Sequence, residues 1–465
     1  MRLTAPLLAV VLSACAARPA APLASLRATR ARHASPPSIA PGLVRSLSDE
    51  VGPRLAGSPG DARAVAWALR TMRSLGFANV HPEPVRVPHW ERGVGVGEVT
   101  APFAQSVALA ALGGSIATPP DGVEAPVVEV DSLEAIDALA ESAVRGRIVY
   151  VHRVMRRTRD GSGYGEAVSA RTRSAIAAAR KGAVAVLVRS IGTDASRAPH
   201  TGAMRYDDAV ARIPAAALST ADGDTLHRLL GAATREAPVR FRLTLGCRTL
   251  PDADSANVVG EVTGSALPRE VILLGAHLDS WDLGTGALDD GAGVAIVLAA
   301  AQRVMTARPP RRTVRVVLFA SEEVGIPGAR AYAEAHREEL PRHVAAIEAD
   351  AGDGRVYGIT YAGDPTHRAA FHRVAQALSP LGVRERDEPA HGGADLSPLI
   401  PAGVPRVDLA QDMRRYFDHH HTANDTPAVL DERSINQAVD AWATAVGELA
   451  SMEETLGRAA VPSAP

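Results

Sequence analysis

From Asn257 onward the chain alternates short apolar runs with helical patterns, and that alternation leaves few folds open. Residues 271–275 form an uninterrupted apolar run, followed by a helical pattern over 291–304. Residues 313–319 form the next run, followed by helical spacing over 328–339. Further runs fall at 344–347 and 404–409, with helices expected over 365–378 and 432–456. Strands that are apolar on both faces belong to a sheet covered by helices on both sides. The expected fold is therefore α/β, a mostly parallel sheet flanked by helices.

Upstream, residues 39–51 carry helical spacing through Leu43, Leu47 and Val51, and Gly52-Pro53 stops it. An amphipathic stretch over 61–75 ends at Gly76, a normal C-terminal stop, and residues 80–87 alternate like a strand. Between 95 and 247 the character changes. Strand-like runs at 127–130, 147–151, 184–188 and 214–218 surround a helix over 170–180, and none of them ends in a cluster of His, Asp and Glu. Residues 95–247 thus read as an inserted, non-catalytic domain, with 161–165 as a flexible loop inside it. The catalytic domain is left with 38–94 and 248–460.

The N-terminal stretch reads as an address. Arg2 is followed by an apolar run over 3–12, too short for a permanent membrane span, which makes it an export signal. Leu12-Ser13-Ala14-Cys15 resembles the bacterial lipobox, in which the cysteine is lipidated and becomes the mature N-terminus. Residues 1–15 would then be the signal ending at Cys15. Residues 16–37, rich in Ala, Pro, Arg and Ser, would be a disordered tether. The expected location is the periplasmic or cell-surface side of a membrane, held there by the lipid alone. Cys247 is the other of only two cysteines, which rules out a disulfide framework and makes it a small buried hydrophobe. Lys plus Arg number 50 against 52 Asp plus Glu, for a net charge of −2. The basic residues are scattered arginines, with Lys181 the one lysine, so no nucleic-acid partner is expected.

Ligands of open parallel sheets bind beyond the carboxyl ends of the strands, and the polar clusters fall there. After 271–275 come His277-Leu278-Asp279 and then Ala287-Leu288-Asp289-Asp290-Gly291. Ser321-Glu322-Glu323 follows 313–319, Glu348-Ala349-Asp350 follows 344–347, and His419-His420-His421 follows 404–409. Two histidines and several carboxylates on separate loops suit zinc, and a two-metal site needs one carboxylate that bridges ions about 3.5–4 Å apart. A lone Glu-Glu pair is ordinarily solvated surface, and a lone His-x-Asp a satisfied hydrogen bond. Their recurrence at successive strand ends is what points to a metal centre.

The set His277-Leu278-Asp279-Ser280, Ala287-Leu288-Asp289-Asp290-Gly291-Ala292-Gly293, Ser321-Glu322-Glu323-Val324-Gly325, Asp350-Ala351-Gly352 and His421-Thr422-x-x-Asp425-Thr426 resembles that of the di-zinc exopeptidases. This is the family of bacterial leucyl aminopeptidases and glutamate carboxypeptidases, and the chain is most similar to its plasma glutamate carboxypeptidase branch. The likeness extends to Val51-Gly52-Pro53-Arg54-Leu55-Ala56-Gly57-Ser58, Pro199-His200-Thr201-Gly202, Arg212-Ile213-Pro214-Ala215-Ala216 and Asp254-Ser255-Ala256-Asn257-Val258-Val259-Gly260. It covers essentially everything after the tether.

The resemblance implies that His277 and Asp350 hold one zinc and Glu323 and His421 the other, with Asp289 bridging both. It implies a cis peptide between Asp289 and Asp290, and an Asp279 that accepts a hydrogen bond from His277 and fixes its tautomer. Glu322 would be the general base, taking the proton of an activated water and passing it to the leaving amine. His420 stands where many relatives have a tyrosine that stabilises the oxyanion; the other reading is a bystander. His419 should face solvent. Gly392-Gly393-Ala394-Asp395 falls where the family has a glycine-rich turn beside the pocket, so Asp395 touches substrate or caps the turn, and Gly393 lies against the substrate. Residues 95–247 resemble the family's protease-associated insert and would shape access to the cleft. Asn424-Asp425-Thr426 matches a glycosylation acceptor only formally, because it lies in the metal loop.

The implied activity is hydrolysis of small peptides, dipeptides with both termini free in particular. An aminopeptidase acting on longer peptides is the second reading, and a non-catalytic binding protein on the same fold the third; the latter predicts lost ligands, and here every position is filled. Glutaminyl cyclases share the fold with a single zinc, so metal counting separates them. The sequence leaves a homodimer open.

Overall fold

A computed structural model of the chain describes residues 37–234 and 236–461. Cys15, the signal and all but the last residue of the tether lie outside the described residues.

One sheet has eight strands in the order Ala78–Glu91, Arg248–Val262, Arg312–Phe319, Leu267–His277, His343–Glu348, Arg406–Gln411, Val356–Ala362 and Arg384–Glu385. Its four central strands, Arg312–Phe319 to Arg406–Gln411 in that order, run parallel. These are the apolar runs of the sequence, and each is followed by a motif. The flanking strands pair antiparallel, except that the short edge strand Arg384–Glu385 runs parallel to Val356–Ala362, so the sheet is mixed around a parallel centre. Val356–Ala362 was not foreseen as a strand, because Gly352, Gly354, Gly358 and Gly363 make the segment look like loop.

The helix Gly291–Ala307 is apolar on every side, and its first eleven residues are all buried. A helix of that composition belongs inside a core. It is packed among the helices Ala40–Glu50 and Glu432–Ser451 over the sheet. Its start must come close to the sheet: a Cβ on Gly293 would lie 2.1 Å from the Ala349 carbonyl oxygen. The Asp290 carboxylate caps this helix by accepting from Gly293 N–H at 3.1 Å. Other helices end earlier than their spacing suggests. Pro327–Ala335 stops short of 339, Glu432–Ser451 short of 456, and Arg368–Leu378 begins after a 3-10 turn at Pro365–His367.

The strands between 95 and 245 form a second eight-stranded sheet, whose core of Val123–Val130, Ile148–Val151, Ala185–Arg189 and Ala215–Leu218 is parallel. Cys247 is buried in its apolar cluster. The segment read as a flexible loop over 161–165 is instead the start of a helix, Ser162–Ala167, which leads into Ser169–Arg180. Tyr164 holds it in place: the ring stacks on Phe417 at 5.0 Å, and its hydroxyl accepts from Arg171 at 2.7 Å. Tertiary packing here overrides three glycines.

One antiparallel ribbon links the two sheets. Glu91 pairs with Arg248 in the first and Gly95 with Leu245 in the second, while Gly246 N–H donates to the Val94 carbonyl at 2.7 Å between them. At the crossing, Gly93 has φ +63, and a Cβ there would lie 2.2 Å from the Gly246 oxygen. Only glycine fits that approach.

Candidate metal centre

The parallel strands deliver their motifs to one place. Leu267–His277 ends in His277 itself, and Arg312–Phe319 runs into Ser321-Glu322-Glu323. His343–Glu348 runs into Asp350, and Arg406–Gln411 reaches His421 through the 3-10 turn Tyr416–Asp418. Asp289 and Asp290, joined by a cis peptide, sit at the head of the buried helix. Ser321 and His421 adopt left-handed backbone, φ 64 and 62. Non-glycine residues keep that conformation only where their surroundings fix it.

Distances divide the donors into two sets that share Asp289. Asp289 Oδ1 lies 3.2 Å from His277 Nε2, and Asp350 Oδ1 lies 3.7 Å from that same nitrogen. Asp289 Oδ2 lies 3.1 Å from His421 Nε2, which is also 3.1 Å from Glu323 Oε2. A tetrahedral zinc holds such donors roughly 3.3–3.6 Å apart. Asp289 Oδ2 and Glu323 Oε1 are buried without a hydrogen-bond partner among the described residues. Each such orphan costs roughly 1–3 kcal/mol, and more when charged. The donor set therefore fits divalent cations.

The charge balance agrees. Burial, followed by the neighbouring carboxylates, raises Glu322 well above the usual carboxylate range. Glu323, Asp350 and Asp290 are also raised, chiefly by burial. Burial opposes charge on Asp289 too, yet the adjacent His277 and His421 hold it well below its usual value. Burial likewise opposes charge on those two histidines, and the carboxylates around them outweigh it. The cluster is short of positive charge. His277 and His421 each turn Nδ1 toward a backbone carbonyl, Asp279 O and Thr201 O, both at 3.1 Å. A carbonyl only accepts, so Nδ1 keeps its proton there and Nε2 is the nitrogen that faces the carboxylates, where a metal would take the place of its proton.

The sequence singled out Asp279 and Asp290 as supports of the ligands, but not these particular bonds, nor Asp425, Arg54, Thr201 and Arg171 as supports. Asp279 does more than neighbour His277: its two carboxylate oxygens accept from Glu322 N–H at 2.9 Å and Glu323 N–H at 3.3 Å, fixing that turn. Asp290 Oδ2 accepts from His277 N–H at 3.1 Å. Asp425 accepts from the amides of Leu288 and Asp289 at 2.7 and 3.1 Å. Arg54, fully buried, donates to the carbonyls of Leu278, Thr285 and Gly286 at 2.6, 2.6 and 2.9 Å, which pins the loop between His277 and Asp289. The inserted domain contributes, from a loop, Thr201, whose amide also donates to the His421 carbonyl at 3.0 Å, and, from the helix Ser169–Arg180, Arg171, which donates to the Thr201 carbonyl at 3.3 Å.

A cleft of about 490 Å³ opens on the centre, lined by Glu322, Glu323, Asp350, His420 and His421, by Ala394 and Ser397, and by Tyr164, Arg171 and Arg205 of the second sheet's domain. The Glu322 carboxylate makes no hydrogen bond among the described residues. His420 stacks on His421, ring centroids 3.5 Å apart, with Nε2 3.6 Å from Asp289 Oδ2. Burial, then the adjacent His421, pushes His420 well below the usual imidazole range and leaves it neutral. His419 is half-buried, its Nδ1 enclosed without a partner, so it does not simply face solvent. Asp395 is fully buried and does not line the cleft; Ala394 and Ser397 do. The turn directs Asp395 inward, toward Glu348, whose carboxyl is pushed up to about 8 by burial and by Asp350. Gly393 is exposed, and a Cβ there would lie 2.4 Å from the Glu348 carboxyl carbon, so it leaves room for Glu348 and gives substrate no side chain.

A parallel-centred α/β sheet with this histidine–carboxylate cluster at its strand ends, beside a peptide-sized cleft, is the framework of a metallopeptidase. The model of peptidase family M28 matches residues 257–446, and that of the PA domain residues 123–226. Carboxypeptidase Q of Mus musculus is 38% identical over 413 residues, covering 89% of this chain and 86% of that protein. The crystal structure of a peptidase M28 precursor from Shewanella amazonensis SB2B is 42% identical with a TM-score of 0.87, covering 95% and 98% of the two chains. BSAP, a zinc aminopeptidase from Bacillus subtilis, shares the fold at 20% identity, with a TM-score of 0.65 over 89% of this chain and 95% of its own. The chain belongs to peptidase family M28, as a metallopeptidase with a PA domain inserted ahead of the matched catalytic region.

Proposed function

We propose that the chain is a two-zinc exopeptidase hydrolysing small peptides, dipeptides with both termini free above all. The observation that supports this most is the division of Asp289, with Oδ1 toward His277 and Asp350 and Oδ2 toward His421 and Glu323. In this reading His277 and Asp350 hold one ion, Glu323 and His421 the other, and Asp289 bridges. Zinc bound there supplies Lewis acidity, which makes water a nucleophile at neutral pH and polarises a carbonyl.

The protein's own groups do the rest. Glu322, in the cleft wall with its carboxylate unengaged, takes the proton of the attacking water and delivers it to the leaving nitrogen. Neutral His420 donates to the carbonyl oxygen as it gains charge. Asp279 and Asp290 keep His277 and the Glu322-Glu323 turn in register. Arg171, Arg205 and Arg330 line the cleft and favour a substrate with a free carboxylate. Cys15 is the lipid anchor that holds the enzyme at the outer side of a membrane.

The test combines zinc content with a substrate panel. Purified enzyme should hold two zinc per chain, cleave free dipeptides, fail on their N-acetylated forms and slow as the C-terminus is extended. A site built to pair a polar terminus rejects analogues lacking it by about 10⁴-fold. A tetrapeptide cleaved as fast as its dipeptide fragment would move the assignment to an aminopeptidase of longer peptides.

A further inference from the structure

The inserted domain carries a second group of imidazole and carboxylate side chains, none of which lines the cleft. Register puts it on one face of the second sheet. Glu129 stands opposite Tyr150 and Tyr150 opposite Leu187 in adjacent parallel strands. His152 and Arg189 follow Tyr150 and Leu187 by two residues and so share their face. The helix Thr220–Ala232 covers that face and presents Asp224 and His227 at i, i+3 spacing.

The protons do not balance in this group. Arg189 holds Asp224 with two hydrogen bonds, Nε at 2.7 Å and Nη2 at 3.1 Å. Asp224 Oδ1 lies 3.1 Å from His152 Nε2, which therefore carries the His152 proton. The Nδ1 lone pair of His152 then faces Glu129 Oε1 at 3.9 Å with no hydrogen between them. That same oxygen takes the proton of His227 Nδ1 at 2.8 Å. The two imidazoles are stacked, 4.1 Å between centroids. One carboxylate oxygen and two ring nitrogens thus converge with a single proton among them. Tyr150, on the same face, adds a fully buried hydroxyl with no partner among the described residues.

We propose that Glu129, His152 and His227 bind a divalent cation of the imidazole-preferring class, with zinc the natural occupant, separate from the catalytic pair. Their donor atoms lie within 4.8 Å of one another, and turning the half-exposed His227 ring out of its stack on His152 lets both in-plane lone pairs meet one ion beside Glu129. The cation replaces the proton on His227 Nδ1 and joins the lone pair of His152 to Glu129. Asp224 orients His152 through its other nitrogen, the arrangement common to metal-bound histidines. His227 is half-exposed, so a cation reaches the site from solvent and water completes its coordination. The ion ties the helix Thr220–Ala232 to the strand ends of the insert.

The test compares the full-length wild type with His227→Ala and His152→Gln after equilibrium dialysis against micromolar zinc. Elemental analysis reads zinc per chain, and dipeptide hydrolysis serves as the control for folding. Wild type should hold one more zinc than either variant, with hydrolysis unchanged in all three. Because the difference between chains is read, the outcome does not depend on how many ions the catalytic centre holds. Equal zinc content in the three chains overturns the proposal. So does a lower content that comes with lost hydrolysis, which would assign the histidines to holding the fold.

Discussion

Glu322 and Glu323 are adjacent in the chain and face different surroundings. Glu323 is buried, accepts from Trp281 Nε1 at 2.5 Å and lies 3.1 Å from His421 Nε2. Glu322 lines the cleft with its carboxylate unengaged. The two amides are held by the two oxygens of one Asp279 carboxylate, so the turn cannot rotate to exchange them. Glu322→Gln should lower kcat by roughly 10²–10⁴-fold, the range of general-base contributions, while metal content stays at the wild-type level. Glu323→Gln should lose metal, read by elemental analysis after dialysis. Identical metal content in the two variants would remove the distinction between base and ligand.

At the scale of elements, the two sheets meet at His421. Its Nδ1 proton goes to the carbonyl of Thr201, which belongs to the insert, and Arg171 of the helix Ser169–Arg180 donates to that same carbonyl. Groups that fix a ligand histidine in this way typically contribute 10–100-fold to metal affinity. Arg171→Met keeps an unbranched apolar stem and removes these bonds. It should weaken metal binding about tenfold in a chelator competition, with an unchanged circular dichroism spectrum. Affinity within twofold of wild type would mean that the insert does not position His421.

None of this support is visible in sequence, because Thr201 and Arg171 lie over two hundred residues from His421 and are of ordinary type. The metal motifs were legible for the opposite reason: His277, Glu322-Glu323 and Asp350 each directly follow an apolar run. Legibility failed where composition and packing disagreed. Gly161, Gly163 and Gly165 read as loop, but Tyr164 and Arg171 anchor a helix. Asp395, read as touching substrate or capping its glycine-rich turn, is buried, because the turn sends its side chain inward. The strand Val356–Ala362 was hidden by glycines whose neighbours, not their own propensities, set the backbone.

For the whole molecule, sequence and structure bear on different parts. Among the described residues no helix is long and apolar enough to cross a membrane, and the proposed anchor, Cys15, lies outside them. Wild type expressed in a bacterial host should fractionate with membranes and incorporate labelled acyl chains, and Cys15→Ala should do neither. Identical fractionation of the two would discard the anchor.

The shared ribbon has a consequence for modularity. Because Val94 and Gly246 are hydrogen-bonded neighbours, a tight turn could bridge them and excise everything between. The remaining chain would keep its whole eight-stranded sheet, its buried helix and every carboxylate and imidazole of the candidate metal centre. It would nevertheless lose the carbonyl that sets the tautomer of His421, along with one wall of the cleft. The insert can be cut away by geometry and not by chemistry: a domain that looks like an accessory has become part of the active site's inheritance.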